Sequence, residues 1–472
     1  MNRLPSISRK LTIALVASIA TIGMTGAGLS AQEQSRAATA LQPPVDDGLP
    51  MPEFQIDPAT TAIVITDPQN DFLSPEGVTW GVVGQSITAN HTVENLGALF
   101  EVADETGMPV FVSPHYYYEH GSHYQSKGAP VGPGTRFQVA SLSKWLTAWG
   151  VMKLVEEGRL DLDTPVNTYL TRWQLPDGPF DEDGVTIRRL LSHTAGLGDG
   201  LGYDGFASAE DVQTLEQSLS RASDASPNAA GSVEVTSEPG SEWKYSGGGY
   251  TLLQLVVEEV SGQSFAAYMD EAVFDPLAMD DTSFNHSDVM QSGDVAENFN
   301  PAGRAEPFRH YTALAASSLF TTAGDMARFL LAQTPGQENP VLSEATRAQM
   351  RVPHGRELGA DIWGLGTMLY AENGSGDFIV GHDGNNEPAI NSAVRFDPET
   401  GDGIVILETG TSLLATELAG EWVFWKTGNV DFLMFSMVIE DMLLWILGGA
   451  IVLIVLAIVC GRRRKPQASV DR

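Results

Sequence analysis

The stretch that follows Ser141 carries apolar residues over a broad arc of a helical projection. A helix on the surface of a domain keeps a polar face, so this coverage predicts a helix buried in the core. The helix is predicted to start at Ser141 and to stop at Gly158, because glycine tolerates the left-handed conformation at a helix end. The apolar residues are Leu142, Trp145, Leu146, Trp149, Met152, Leu154 and Val155.

The N-terminal part of the chain has a strand–helix–strand pattern. An apolar run over 61–66 predicts a buried strand ending at the carboxylate of Asp67, and helical periodicity follows over 91–106. A second apolar run begins at Pro109 and ends near Tyr118. Two strands joined through a helix form a βαβ unit, which predicts a piece of parallel sheet.

The C-terminal half predicts helices followed by strands, and turn signals such as Pro398-Glu-Thr-Gly401 separate the strands. The predicted helices are 250–260, 264–273 and 323–333, and the predicted strands are 364–370, 378–381, 391–396 and 403–407. Together with the βαβ unit, this pattern indicates an α/β (α+β) fold.

The N-terminus has the pattern of a secretory signal. Basic residues precede an apolar run over 11–27, and Leu29-Ser-Ala31 offers a cleavage site made of small residues. We therefore predict a signal peptide over 1–31, followed by a polar linker over 32–50.

The C-terminus predicts a membrane anchor. Residues 442–460 carry no charge, and nineteen helical residues extend about 28 Å, enough to cross a bilayer core. Arg462-Arg-Arg-Lys465 follows, so we expect a juxtamembrane and transmembrane segment at 431–461 and a cytoplasmic tail at 462–472. The catalytic domain would then be periplasmic or extracellular. The alternative for 442–460 is a helix buried in the core.

Composition narrows the function classes. The net charge is −33, with 27 Lys and Arg against 60 Asp and Glu, which argues against a nucleic-acid partner. The single cysteine, Cys460, permits no intrachain disulfide and no cysteine-based metal site or nucleophile in the soluble part. We expect no cofactor and no metal, and the sequence leaves the oligomeric state open.

Ser141 and Lys144 are candidate catalytic residues. They are three positions apart, so both lie on one face of the first helical turn. A serine hydroxyl needs a base to become a good nucleophile, and a lysine buried near a helix N-terminus can act as that base. The alternative reading of Ser141 alone is a helix N-cap.

This stretch resembles the serine β-lactamase and penicillin-binding-protein superfamily, in particular its class C β-lactamase-like branch. The S-x-x-K spacing is typical of those enzymes. The resemblance also rests on the surrounding text, Thr135-Arg-Phe-Gln-Val-Ala-Ser-Leu-Ser-Lys144 and Ile187-Arg-Arg-Leu-Leu-Ser-His-Thr-Ala-Gly-Leu197. It covers about 126–410. It implies a hydrolase domain over 126–430, with an antiparallel sheet, flanking helices and a helical subdomain.

The resemblance supplies two further motifs. Tyr245-Ser-Gly247 matches the family's loop triplet, which implies that Tyr245 acts as a base or acid in catalysis. His382-Asp-Gly384 matches the strand triplet: His382 and Gly384 would line the substrate cleft, and the backbone N–H groups of Asn385 and Ser141 would form the oxyanion hole. Many relatives have Asn at the position of Gly247.

The implied activity is hydrolysis of a β-lactam, a D-alanyl peptide or an ester through an acyl-enzyme, with a small-molecule or peptide substrate, such as a cell-wall peptide. The residue types do not separate these substrates. A first alternative is a penicillin-binding-like module without catalytic activity.

A shorter stretch, over about 55–120, resembles isochorismatase-like cysteine hydrolases through Asp67-Pro-Gln-Asn-Asp-Phe72. Those enzymes also use a Lys and a Cys, and this part of the chain has neither at a matching place, so hydrolysis by the 51–125 segment is the second alternative. Relatives of the serine hydrolase have two strands ahead of the S-x-x-K helix. The βαβ unit here either donates a substitute strand or leaves a sheet edge unprotected.

Several remaining residues receive structural interpretations. His193 is predicted to be a hydrogen-bonding structural histidine, and His115, His120 and His123 to be solvated loop residues. Ser241-Glu-Trp-Lys244 repeats the S-x-x-K spacing on a loop, and Lys426-Thr-Gly428 lies past the last predicted strand. We therefore do not assign either motif to the active site.

Overall fold

The computed structural model describes residue 58 and residues 61–435, apart from 67, 76, 78–79, 114–124, 127–128, 133, 201, 338, 387–389 and 434. The predicted signal peptide, linker, transmembrane segment and basic tail lie outside these residues, as do Asp67, Tyr118 and the three loop histidines. Within the described part, no helix is long and apolar enough to cross a membrane.

A mixed sheet of eight strands forms the centre of the fold, in the order β1-β2-β14-β13-β12-β11-β10-β9. Its strands are β1 (Ile63–Thr66), β2 (Val110–Ser113), β9 (Gly355–Glu357), β10 (Ala360–Trp363), β11 (Met368–Glu372), β12 (Phe378–Asn386), β13 (Ile390–Phe396) and β14 (Gly403–Thr409). Short two-residue strands are β3 (Gln125–Ser126), β4 (Ala129–Pro130), β5 (Phe137–Gln138), β6 (Asn298–Phe299), β7 (Ala305–Glu306) and β8 (Phe320–Thr321).

The α/β fold predicted from the sequence is confirmed, but the expectation of an antiparallel sheet is wrong in part. Strands β9 to β14 are antiparallel, whereas β1 pairs parallel to β2, and β2 pairs parallel to β14 through Phe111 and Gly403. The parallel pairing follows from the intervening helix, which returns the chain to the same end of the sheet. The βαβ unit thus covers the edge of β14 and leaves β1 as the outer strand.

Helices cover both faces of this sheet. They are α1 (Asn70–Leu73), α2 (Trp80–Ala89), α3 (Thr92–Thr106), α4 (Ser143–Glu156), α5 (Ile187–Leu191), α6 (Leu215–Arg221), α7 (Gly247–Ser261), α8 (Phe265–Met269), α9 (His286–Ser292), α10 (Leu314–Ser317), α11 (Ala323–Leu331), α12 (Glu344–Met350) and α13 (Leu414–Thr427). A π-helical turn, Asp270–Phe274, extends α8.

The strands alternate between the two faces, as the period of two requires. On β13, Val394 belongs to the main core with α4, whereas Ala393 packs with Ala415 and Ala419 of α13. The main core contains α4, whose residues from Ser143 to Met152 are all buried, which confirms the prediction of a core helix.

Candidate active site

Ser141 lies on a short 3-10 turn, Ala140–Leu142, that leads directly into α4. Lys144 Nζ lies 3.0 Å from Ser141 Oγ and also donates a hydrogen bond of 2.8 Å to the carbonyl oxygen of Ala316. Ala140 has a φ of 45°, a left-handed conformation that is uncommon for a residue with a side chain. Such backbone strain concentrates at functional sites, and here it immediately precedes the serine.

Lys144 is a buried amine with an unusual protonation equilibrium. Its side chain sits among the core helices, with 1% of the residue exposed. Burial lowers the pKa of Lys144 to about 7, although the charge of Asp199 partly opposes the shift. A large fraction of this lysine is therefore neutral near pH 7 and able to accept a proton from Ser141.

Tyr245 completes the group. Its hydroxyl is hydrogen-bonded to the side chain of Ser141, and Lys144 Nζ lies 4.9 Å from the centroid of its ring. Burial raises the pKa of Tyr245 above its usual value, so the phenol keeps its proton. The structure therefore brings together the three side chains predicted from the sequence, with the lysine suited to accept a proton and the tyrosine suited to donate one.

The loop that carries Tyr245 is fixed by two buried residues. His193 Nδ1 accepts a hydrogen bond of 3.1 Å from the backbone N–H of Ser246, in line with the structural role predicted for this histidine. Asp199 accepts hydrogen bonds from Ser246 Oγ at 2.5 Å and from the N–H of Gly248 at 2.7 Å. The Ser246 side chain also caps α7, so the carboxylate sits at the positive end of a helix.

Asp199 is a residue that the sequence reasoning missed. It lies in a loop rich in Gly and Asp, where nothing in the sequence distinguishes it from its neighbours. Gly247 has a packing explanation, since an added Cβ would lie 2.9 Å from the ring of Tyr203. An asparagine at this position, as the resemblance implies, would press against this ring.

Strand β12 forms the opposite wall. Its pairing with β11 ends at Gly381, whereas its pairing with β13 continues to Asn386. The extra length runs past the turn that carries Ser141, and a Cβ on Gly384 would lie 1.9 Å from the carbonyl oxygen of Val139. Glycine is therefore required for the strand to approach this closely.

The side chains of Asn385 and His382 are both engaged by the surrounding protein. The side chain of Asn385 donates a hydrogen bond to the carbonyl oxygen of Ser412. The role of its backbone N–H in the oxyanion hole stays a prediction. His382 is buried in the wall, with its ring 5.4 Å from that of Trp363. Burial and the charge of Lys144 lower the pKa of His382 to about 3, so the imidazole is neutral.

A buried charge cluster lies on the other face of β12. Arg395 is fully buried and forms ion pairs with Asp383 at 2.7 Å and with Asp431 at 3.2 Å. Its guanidinium also lies 3.5 Å from the centroid of the Tyr370 ring. These residues are brought together by pairing between strands and by the return of the chain after α13, so no local pattern in the sequence marks them.

The two motifs set aside from the sequence have polar partners other than Ser141. Ser241 bonds to the carbonyl of Glu238 in its own loop, and Lys426, at the end of α13, pairs with Asp402. Among the described residues, no group of three or more His, Cys, Asp or Glu side chains is arranged to hold a metal ion.

Residues 112–421 match the family described as Beta-lactamase. This chain belongs to that family. It is 33% identical over 215 residues to Esterase EstB of Burkholderia gladioli, covering 42% of this chain and 53% of the esterase. It is 32% identical over 172 residues to Penicillin-binding protein 4* of Bacillus subtilis (strain 168), covering 35% of this chain and 34% of that protein.

The chain thus spans between about a third and about a half of the length of these curated relatives. Among solved structures, it resembles the octameric penicillin-binding protein homologue from Pyrococcus abyssi, with a TM-score of 0.52 and 26% identity over 66% of this chain and 68% of that chain. The family match begins at residue 112, so it includes the second half of β2 and no part of β1. The resemblance of residues 55–120 to isochorismatase-like enzymes stays a prediction.

Proposed function

We propose that this chain is a serine hydrolase that acts through an acyl-enzyme at Ser141. The observation that carries the proposal is the contact between Ser141, Lys144 and Tyr245. The contact joins a hydroxyl, an amine with a lowered pKa and a protonated phenol. It lies near strand β12, beyond the point where β12 pairs with β11. These three groups are the parts that acyl transfer needs.

In the proposed reaction, neutral Lys144 takes the proton of Ser141 as its oxygen attacks the substrate carbonyl. The negative charge that develops on the carbonyl oxygen is stabilised by the backbone N–H groups of Ser141 and Asn385. Tyr245 donates its proton to the departing amine or alcohol, and Lys144 returns a proton to the phenol. A water molecule then attacks the ester of Ser141 by the reverse arrangement, which releases the acid and restores the free serine.

The substrate proposed is an ester or a simple amide. Gly247 removes a side chain that would hold an amide group of the substrate, and Tyr203 fills the space next to it. This arrangement favours a small acyl group over a β-lactam or a D-alanyl peptide with an extended side chain. The esterase among the relatives is in keeping with this choice.

We also propose that residues 442–460 anchor the enzyme in a membrane, with the catalytic domain outside the cytoplasm. Their uncharged length and the basic residues that follow support the anchor. The alternative to the enzyme, a binding module without turnover, predicts tight binding of the same compounds but no product.

A substrate panel tests the proposal. The full chain in detergent is assayed with p-nitrophenyl esters, D-alanine p-nitroanilide and a chromogenic cephalosporin. We expect turnover of the esters first, lost in Ser141→Ala and unchanged in Ser241→Ala, which alters the exposed serine of the second S-x-x-K sequence. Binding without turnover of any compound would overturn the proposal in favour of the binding module.

A further inference from the structure

The exposed side of α13 changes from acidic to aromatic side chains along its length. Glu417, Glu421, Phe424 and Trp425 are all exposed, and their spacing places them along one stripe of the helix. The first turns of this stripe carry carboxylates, and the last carries two aromatic rings. The polarity therefore runs from acidic to aromatic in the direction of the C-terminus.

The aromatic end is unusually open to solvent. Trp425 is 72% exposed and Phe424 is 56% exposed, and the chain that follows adds Val430 at 59% and Phe435 at 37%. A group of large apolar side chains exposed to solvent is typical of a surface that contacts a protein partner or a membrane. We call Phe424, Trp425, Val430 and Phe435 the α13 end.

The chain after α13 has little freedom to move away from the sheet. Asp431 is fully buried and ion-paired to Arg395, which ties the segment after α13 to β13. Only six residues separate Phe435 from Met442, where the uncharged run begins, so the two are at most about 25 Å apart even when the chain is fully extended. An anchor at 442–460 would therefore hold the α13 end close to the bilayer surface.

We propose that the α13 end docks on the lipid bilayer, with Phe424 and Trp425 in the interfacial region. This inference rests on the membrane anchor proposed above and adds a defined contact surface to it. Tryptophan favours the membrane–water interface because its ring is apolar while its N–H needs a polar partner. Glu417 and Glu421 lie one to two turns further from the anchor, where they stay in water.

A second copy of this chain is a poorer occupant. Both copies would bring Glu417 and Glu421 to the same contact, and the chain carries a net charge of −33. Repulsion between like charges opposes that pairing, whereas a bilayer of neutral lipid carries no opposing charge.

The test uses the full chain reconstituted into vesicles of neutral phosphatidylcholine. Cys460 is changed to Ser, and an environment-sensitive fluorophore is attached at Trp425→Cys or, as the matched control, at Glu417→Cys on the same stripe. Some vesicles contain lipid with a nitroxide near the headgroup, which quenches fluorophores at the interface. Anchoring is measured separately, as retention of the protein on vesicles after an alkaline carbonate wash.

We expect the label at position 425 to be quenched at least several-fold more strongly than the label at 417, and Phe424→Asp to reduce the quenching at 425. Equal quenching at the two positions, with the protein still resistant to carbonate, would overturn the docking and leave the anchor standing. Density-dependent crosslinking between copies at position 425, without quenching by lipid, would also overturn it. Release by carbonate would overturn the anchor itself, and ester turnover by the same samples reports the hydrolase activity independently.

Discussion

The ring of Tyr245 lies against the imidazole of His193, with their centroids 4.4 Å apart and the planes inclined by 34°. Trp363 meets the same tyrosine ring edge-on at 5.6 Å. These aromatic contacts hold the ring in place without using its hydroxyl, which is therefore free to bond Ser141. A substitution can therefore remove the hydroxyl of Tyr245 and keep the contacts that position its ring.

Tyr245→Phe should keep the fold and lose the proton donor. Because the phenyl ring retains its contacts with His193 and Trp363, the melting temperature should stay close to that of the wild type. General acid catalysis contributes about 10²–10⁴-fold, so kcat for an alkyl ester should fall by about that factor. A p-nitrophenyl ester needs less assistance to its leaving group and should lose less. Equal losses for both esters would contradict the role of the phenol as acid.

The pH dependence of kcat/KM should report Lys144. Because burial lowers the pKa of Lys144 to about 7, the lysine is protonated and inactive below that pH and neutral above it. Activity towards an uncharged ester should rise with pH and level off above an inflection near 7. The measurement is a profile from pH 5 to pH 9 in buffers of constant ionic strength. A flat profile across this range would contradict the assignment of Lys144 as base.

Gly384→Ala should remove activity because the added methyl group would clash with the backbone beside Ser141. The added Cβ would meet the carbonyl oxygen of Val139 at 1.9 Å, so β12 must move away from the turn that carries Ser141. We expect kcat/KM to fall by about 100-fold or more, since small displacements of reacting groups have effects of that size. Gly97→Ala is the control, because a Cβ on Gly97 in α3 meets nothing within 4 Å. Wild-type activity in Gly384→Ala would show that this approach is not needed.

Removing different members of the buried charge cluster should lower the free energy of unfolding by different amounts. Arg395→Met removes the cation that Asp383 and Asp431 share, and loss of one partner of a buried pair costs about 3–5 kcal/mol of the free energy of unfolding. Asp431→Asn leaves Arg395 paired to Asp383 at 2.7 Å, so its cost should be about 1 kcal/mol. Urea unfolding of the two variants measures the difference. Equal losses would contradict this description of the cluster.

Tyr245 was identified through the resemblance to the family. The sequence pattern predicted α4, the pair Ser141 and Lys144, and strands that overlap β11 to β14, because apolar periodicity and motif spacing are local signals, but it did not predict β9 or β10. It underestimated β12, since the polar residues from His382 to Asn386 have no strand-like pattern and are extended by pairing with β13. It missed α13, which buries small residues such as Ala415 and Ala419 and has no strong apolar stripe. Asp199 and Arg395 could not be found, since their partners are distant in sequence.

Covalent labelling of Ser141 tests the proposed nucleophile most directly. The full chain is incubated with an alkyl fluorophosphonate, and intact-protein and peptide mass spectrometry locate the adduct. We expect one phosphonyl group on Ser141, absent in Ser141→Ala, retained in Ser241→Ala and formed more slowly at pH 5 than at pH 8. A folded wild-type protein that stays unlabelled, or an adduct that survives in Ser141→Ala, would contradict the assignment of Ser141 as the nucleophile.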